Sequence, residues 1–348
     1  NHAREKINNI KRNEYCSDFE LSSRDATNFT DLAWKLLGRY IANNTVLKRV
    51  CLEDYDISDE HISSLFRNMA SNSHLEYIDL PRCTLTDSKL VALFRGLTRS
   101  TSIKSLNLGQ NAFGIEGIRS MLPFIENSPQ LEKLWISSAD VNTDGFELLM
   151  GTLQGKSLVS LGVGYCNITD ISALTNNIPT NLQSLNLSGN SIGREGCITL
   201  SNILQEEGST LTGLHLVNAG IVEEGVDIIA ASLKHNTKLE ELNLTMNKIT
   251  EKGYLAFLKI LNDVSSIEST YTSNHTLTKL NLRREGPSPP HSEALSWITS
   301  ACEVNRNSRN LEAAGRAKVI KYQLNSQVRK ELCELQGIEE LSCNIFAD

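Results

Sequence analysis

Apolar residues recur along this chain in two alternating rhythms. The first is a short cluster with fixed offsets: Leu182, Leu185 and Leu187, then Asn190 and Ile192. Leu239, Leu242, Leu244, Asn247 and Ile249 repeat it, and Ile103, Leu106, Leu108, Asn111 and Phe113 repeat it with a substitution at either end. Leu185 and Leu187 stand two apart, so on an extended strand both face one side while Asn186 faces the other. The second rhythm is helical, as in Ile198, Leu200, Ile203 and Leu204, or Ile228, Ile229 and Leu233, and it falls between the clusters. Each unit is therefore predicted to be a strand followed by a helix. A unit this short cannot bury its leucines alone. Stacked copies can, at about 1.5–3 kcal/mol per fully buried Leu, with the Asn satisfying backbone groups where the chain bends.

The first apolar position of each copy is Leu47, Leu75, Ile103, Leu131, Leu158, Leu182, Leu211, Leu239 and Leu277, mostly 28 residues apart. The consensus L-x-x-L-x-L-x-x-N-x-I at this period resembles the ribonuclease-inhibitor type of leucine-rich repeat over residues 47–284. That resemblance implies an α/β solenoid (a horseshoe) with parallel strands on the concave face and helices on the convex face. Gly117, Gly145, Gly196, Gly225 and Gly253 each lie six residues after the Asn position, where the family pattern has a small residue and a tight turn is expected.

Two copies depart from the period. The gap from Leu158 to Leu182 is 24 and holds Pro179, which predicts a short or 3₁₀-like convex segment. The gap from Leu239 to Leu277 is 38, with a polar run over residues 265–276 expected to form a loop. Residues 1–46 read as an N-terminal cap, with a degenerate first strand at Cys16, Phe19 and Leu21 and an amphipathic helix over residues 29–41. Residues 47–285 form the array. Residues 286–305 hold a Gly-Pro-Ser-Pro-Pro linker and a capping helix, and residues 306–348 are a basic, partly flexible helical tail. The cations of that tail, among them Lys318 and Arg329, read as a solvated helix face.

A net charge of −7 argues against nucleic acid as the principal partner, and no apolar run is long enough to span a membrane. Eight cysteines occur without a C-x-x-C pair, so neither a metal nor a disulfide framework is expected. Cys83 and Cys166 occupy the Asn position, as buried thiols in a reducing compartment would. Cytoplasmic location, with the nucleus as an alternative, and a monomeric state follow as expectations.

Stacked strands would expose the residues between the leucines, and these are the candidate protein-binding positions: Tyr77, Asp79, Arg82, Asn107, Trp135, Tyr165, His215, Asn243, Arg283 and Arg284. Trp135 leads them, because a Trp on a solvent-facing strand position has no core reason to be there and such residues are enriched among binding hot spots. Covering Gly162 and Asn107 is its structural alternative. No catalytic residue, cofactor or metal ligand is predicted. The histidines are scattered, and only His215 and Glu241 are placed to meet, as a surface pair. The near-miss to a phosphate loop at Gly151, Gly155, Lys156 and Ser157 precedes a strand instead of following one, which makes it a turn. The function expected is a non-enzymatic scaffold for a protein partner. The alternatives are a regulator of a small GTPase, against which the basic tail counts, and the sensor or adaptor portion of a larger receptor or ubiquitin-ligase subunit.

Overall fold

The computed structural model describes residues 2–13, 17–27, 29–69, 72–283 and 292–338. Arg284, His291, Cys16, Cys343 and the Pro-rich linker lie outside them. Among the described residues ten strands alternate with helices. The strands are β1 (Asp18–Ser22), β2 (Arg49–Glu53), β3 (Tyr77–Asp79), β4 (Ser105–Asn107), β5 (Lys133–Trp135), β6 (Ser160–Gly162), β7 (Ser184–Asn186), β8 (Gly213–His215), β9 (Glu241–Asn243) and β10 (Lys279–Asn281). The helices of the first half are α1 (His2–Arg12), α2 (Ser23–Ala26), α3 (Asp31–Asn43), α4 (Asp59–Phe66), α5 (Asp87–Leu97), α6 (Ile115–Glu126), α7 (Asn142–Leu153) and α8 (Leu174–Asn177). Those of the second are α9 (Gly193–Gln205), α10 (Glu223–Ser232), α11 (Glu251–Leu261), α12 (Ile267–Tyr271), α13 (Glu293–Asn307), α14 (Leu311–Lys318) and α15 (Ser326–Gln336), with a π-helical turn at Val319–Gln323.

The chain divides into two compact units, Asn1–Leu185 and Asn186–Asp348. In the first, β1 to β6 pair in parallel and in chain order, so Tyr77 aligns with Arg49 and Ser105, and Trp135 with Asn107 and Gly162. In the second, β8, β9 and β10 do the same, aligning His215, Asn243 and Asn281. Parallel neighbours need a crossover, which the helices supply. This is the α/β leucine-rich-repeat fold. The signature leucines line its core: Leu106, Leu108, Leu185, Leu187, Leu242 and Leu244 are fully buried.

The Asn position works as a ladder between neighbouring repeats. Asn111 Oδ1 accepts from the backbone N–H groups of Cys83 (2.9 Å) and Leu85 (3.0 Å), and its Nδ2 donates to the carbonyls of Leu80 and Leu108 (both 2.8 Å). Asn247 makes the equivalent bonds to Ala219, Ile221, Leu216 and Leu244. Cys83 and Cys166 keep part of this role, their thiols donating to the carbonyls of Leu52 (3.2 Å) and Ile136 (3.4 Å). A second ladder, unanticipated from the sequence, runs three residues before the first leucine. Asn72 and Asn274 each donate to carbonyls of the preceding repeat and accept from the two N–H groups that open the next strand.

Helix starts are also tied to the repeat before. Asp87, in the first turn of α5, accepts from the N–H groups of Gly114 and Gly117 (2.8 Å each) at the start of α6, a helix without a side-chain cap of its own. Glu223 likewise accepts from Thr250 N (3.1 Å) at α11. The periodic glycines are not at a tight turn, contrary to expectation. They lie inside helices, and a Cβ at Gly117 would come within 2.8 Å of Asp87 Oδ1 and one at Gly225 within 2.7 Å of Cys197 Sγ. They permit close helix packing. The left-handed position is instead the eighth of each repeat, where Asp54, Arg82, Gln110, Ser138, Tyr165, Asn218 and Met246 have φ between 49° and 64°.

Other expectations fared variously. The short repeat does carry a one-turn helix, α8. The 265–276 run is not a plain loop, since Ser266 caps α12 within it. The tail is not simply a solvated face: Lys318 and Arg329 are buried, along with Tyr322, Gln323 and Leu332. The all-thiol expectation fails at Cys333, which is disulfide-bonded, while Cys51, Cys83, Cys166, Cys197 and Cys302 are free. No helix among the described residues is long and apolar enough to cross a membrane. The buried Trp34 of α3 stacks its ring with Tyr55 and His61, the latter also meeting Asp31 at 2.9 Å.

Candidate functional site

The sheet face opposite the helices presents the third, fifth and seventh residues of each repeat, because alternate strand residues point away from the leucine core. In the first unit, strands about 4.8 Å apart bring Arg49, Tyr77, Ser105, Lys133 and Ser160 into one row, and Cys51, Asp79, Asn107, Trp135 and Gly162 into the next.

Trp135 sits half-buried near the middle of this face. Its indole Nε1 donates to Ser160 Oγ at 3.0 Å, and Lys133 Nζ lies 5.9 Å from the ring centroid. A Cβ at Gly162 would fall 2.8 Å from Trp135 Cδ1, so the ring lies over β6 and depends on that glycine. It covers Gly162, as the structural alternative proposed, and still exposes part of its surface. The ring is thus pinned in one orientation with little rotamer freedom left to lose on binding. Lys133 has no ion-pair partner among the described residues. It was not among the candidates, and its isolation depends on what neighbouring repeats supply.

Tyr77 and Tyr165 are the exposed aromatic residues of this face, at 37% and 49%. Tyr165 occupies the left-handed position, with φ 56°. Arg82, also left-handed, donates to Asp54 (2.6 Å), Glu53 and Gln110 (3.2 Å). Asp79 is only 7% exposed and holds Arg49 at 2.7 Å, which removes it from ready contact with a ligand and raises the guanidinium pKa above its usual value. Asn107 Oδ1 accepts from Gly109 N at 3.1 Å. Cys51 is half-buried, and burial pushes its thiol up to about 11, leaving it protonated at neutral pH and a poor nucleophile.

The second unit holds the remaining candidates. His215 is aligned with Asn243, not with Glu241; Glu241 instead pairs with Lys279 at 2.6 Å, which corrects the expected pair. Asn243 Oδ1 accepts from Thr245 N, and Arg283 is exposed. No group of three His, Cys, Asp or Glu able to hold a metal ion occurs among the described residues.

Comparison of the sequence with known proteins agrees with this geometry. A leucine-rich-repeat family model matches residues 179–201 and 235–258. The ribonuclease inhibitor of Sus scrofa is 27% identical over 194 residues, 45% of this chain and 42% of that protein. The NACHT, LRR and PYD domains-containing protein 14 of Mus musculus is 28% identical over 233 residues, 63% of this chain and 22% of that protein. This chain therefore spans less than half the length of either. Among solved structures, an internalin from Listeria monocytogenes aligns with a TM-score of 0.45 and 16% identity, over 75% of this chain and 67% of that one. Signature spacing, parallel strand order and the Asn ladder, with the family-model match and the two sequence relatives, identify the chain as a leucine-rich-repeat protein of the ribonuclease-inhibitor-like type.

Proposed function

We propose that this protein is a non-enzymatic scaffold that binds a protein partner on the helix-free sheet face of its first unit, with Trp135 as the anchor and Tyr77 and Tyr165 beside it. The observation that carries the reading is the pinned indole, held by Ser160, Lys133 and Gly162 yet partly exposed. A preordered aromatic residue costs little entropy to bind and contributes much when a partner desolvates it. His215, Asn243 and Arg283 form a second set of candidate contacts on the other unit. The five free thiols among the described residues support a cytoplasmic or nuclear setting, whereas the disulfide at Cys333 points the other way; cell fractionation decides.

A pull-down from the source cell tests the reading, with wild-type protein and a Trp135→Ala/Tyr165→Ala variant as parallel baits. Partners retained by the first and lost by the second support it. Recovery of the same set by both baits overturns it. The chain's 22% coverage of a much longer NACHT, LRR and PYD domains-containing relative favours a second reading, the sensor portion of a larger receptor. A full-length transcript without any added domain would remove that reading.

A further inference from the structure

The C-terminal helices are held to the array by an unusual set of bonds. Lys318, the last residue of α14, is fully buried, and its amine donates to the carbonyls of Leu261 and of Asn274, the latter at 2.8 Å. Gln323 Nε2 reaches the carbonyls of Val264 and Ser266 (3.1 Å each) and Thr270 Oγ1 (2.7 Å). Gln336 donates to the carbonyl of Asn262 at 2.8 Å. Three long polar side chains thus take up the carbonyls of the segment from the end of α11 to the start of β10, some of which the helix end would otherwise leave orphaned. The π-helical turn makes this possible: its added residue swings both Tyr322 and Gln323 inward after Lys318.

Lys318 is the anomaly in this seam. Its two acceptors match the two hydrogens of a neutral amine, and the third hydrogen of an ammonium has no acceptor among the described residues. No carboxylate among the described residues stands within ion-pair distance. We propose that the helical module formed by α14, the π turn and α15 is a proton-operated latch, docked on residues 261–274 by the neutral Lys318 amine and loosened when that amine takes up a proton.

The charged and titratable neighbours leave the assignment to Lys318. Cys302, on α13, and Tyr322 are pushed up by burial to about 11 and about 12. His275 is brought down to about 4 by burial and by the charge on Lys318. Glu303 and Arg306 of α13 act on Cys302, Arg329 comes from α15, and Asp263 and Glu268 lie within the docking segment. Asp263 is engaged with Ser265 N at 3.0 Å. Burial also lowers Arg329, and Cys302, Tyr322 and His275 all titrate outside pH 5 to 9. Burial brings Lys318 itself down to about 7. An open module restores the ordinary value of 10.5, so opening should grow about tenfold per pH unit as pH falls from 10.5 towards 7, then level off below 7.

Native-state hydrogen exchange, corrected for intrinsic chemical exchange, tests this on the intact chain. Peptides covering residues 261–277 and 311–323 should open more than tenfold faster at pH 7 than at pH 9, while peptides from β2 to β5 keep their protection. Lys318→Met should abolish the pH dependence. A flat wild-type profile overturns the proposal, and it does so whether or not the variant folds. A folded Lys318→Met variant with the wild-type slope overturns it equally.

Discussion

Asn111 offers the sharpest test of what holds the repeats in register. The residue is 5% exposed and serves two backbone N–H groups and two carbonyls across two repeats, all between 2.8 and 3.0 Å. Asn111→Ala strands those four groups where water does not reach. At about 1–3 kcal/mol for each buried group left unsatisfied, reduced by relaxation of the neighbouring chain, the loss should come to about 3–5 kcal/mol. Asn111→Cys reproduces what Cys83 and Cys166 do naturally. A thiol keeps a donor to a carbonyl of the repeat before and fills more of the site, so its loss should be about 1–2 kcal/mol smaller. Urea unfolding followed by circular dichroism measures both, provided the slope stays constant so that midpoints report stability. An alanine variant within about 1 kcal/mol of wild type, or a cysteine variant no better than alanine, would refute the ladder argument.

Four further outcomes are expected. Gly162→Val should displace the indole of Trp135, shifting emission to the red and raising acrylamide quenching; unchanged spectra would mean that the ring does not rest on that glycine. Asp87→Ala should cost about 1–2 kcal/mol by uncapping α6, read by urea unfolding and by faster exchange of the amides at Gly114 and Gly117. Arg49→Met leaves buried Asp79 without its cation and should cost about 1–3 kcal/mol, most of it recovered in the Arg49→Met/Asp79→Leu double variant. Glu76 has its pKa lowered, chiefly by the hydrogen bond from Lys104. Its stabilisation is therefore present above the unfolded value of 4.5 and lost as pH falls through the folded value. Glu76→Gln should flatten that part of the acid-unfolding profile, and an unaltered profile would contradict the pairing.

The strands were legible because each leucine triplet fixes both the residue that enters the core and the one that leaves it. The helices followed from what the triplets left between them. Cys83 and Cys166 were readable as members of the Asn row by offset alone. The glycines misled, since Gly117 and Gly225 recur at one offset for either a turn or a close contact, and only the neighbouring helix decides between them. The second Asn ladder escaped because its row reads Asn44, Asn72, Ser100, Ser128 and then Gly155 and Pro179, too mixed to stand out. At the site, strand alternation placed Trp135 on the open face. Its tilt over Gly162 depends on Ser160, 25 residues away in sequence. Asp79 looked available until Arg49, 30 residues earlier, was found holding it. Lys318 was invisible as a buried residue, because helical periodicity carries no information about which carbonyls oppose a side chain or where a π turn shifts its phase.

The tie between Asp87 and the start of α6, repeated by Glu223 at α11, gives the chain a direction. Each such helix borrows the acceptor for its first amides from the repeat that precedes it. Trimming from the C-terminal side takes away a borrower and leaves the lender folded, whereas trimming from the N-terminal side takes away the lender and frays the next helix at once. Ribosomal synthesis delivers lenders before borrowers. Nascent repeats thus find their anchor already in place, and a circularly permuted chain that begins between α5 and α6 would have to wait for its own last residues before its first helix could close.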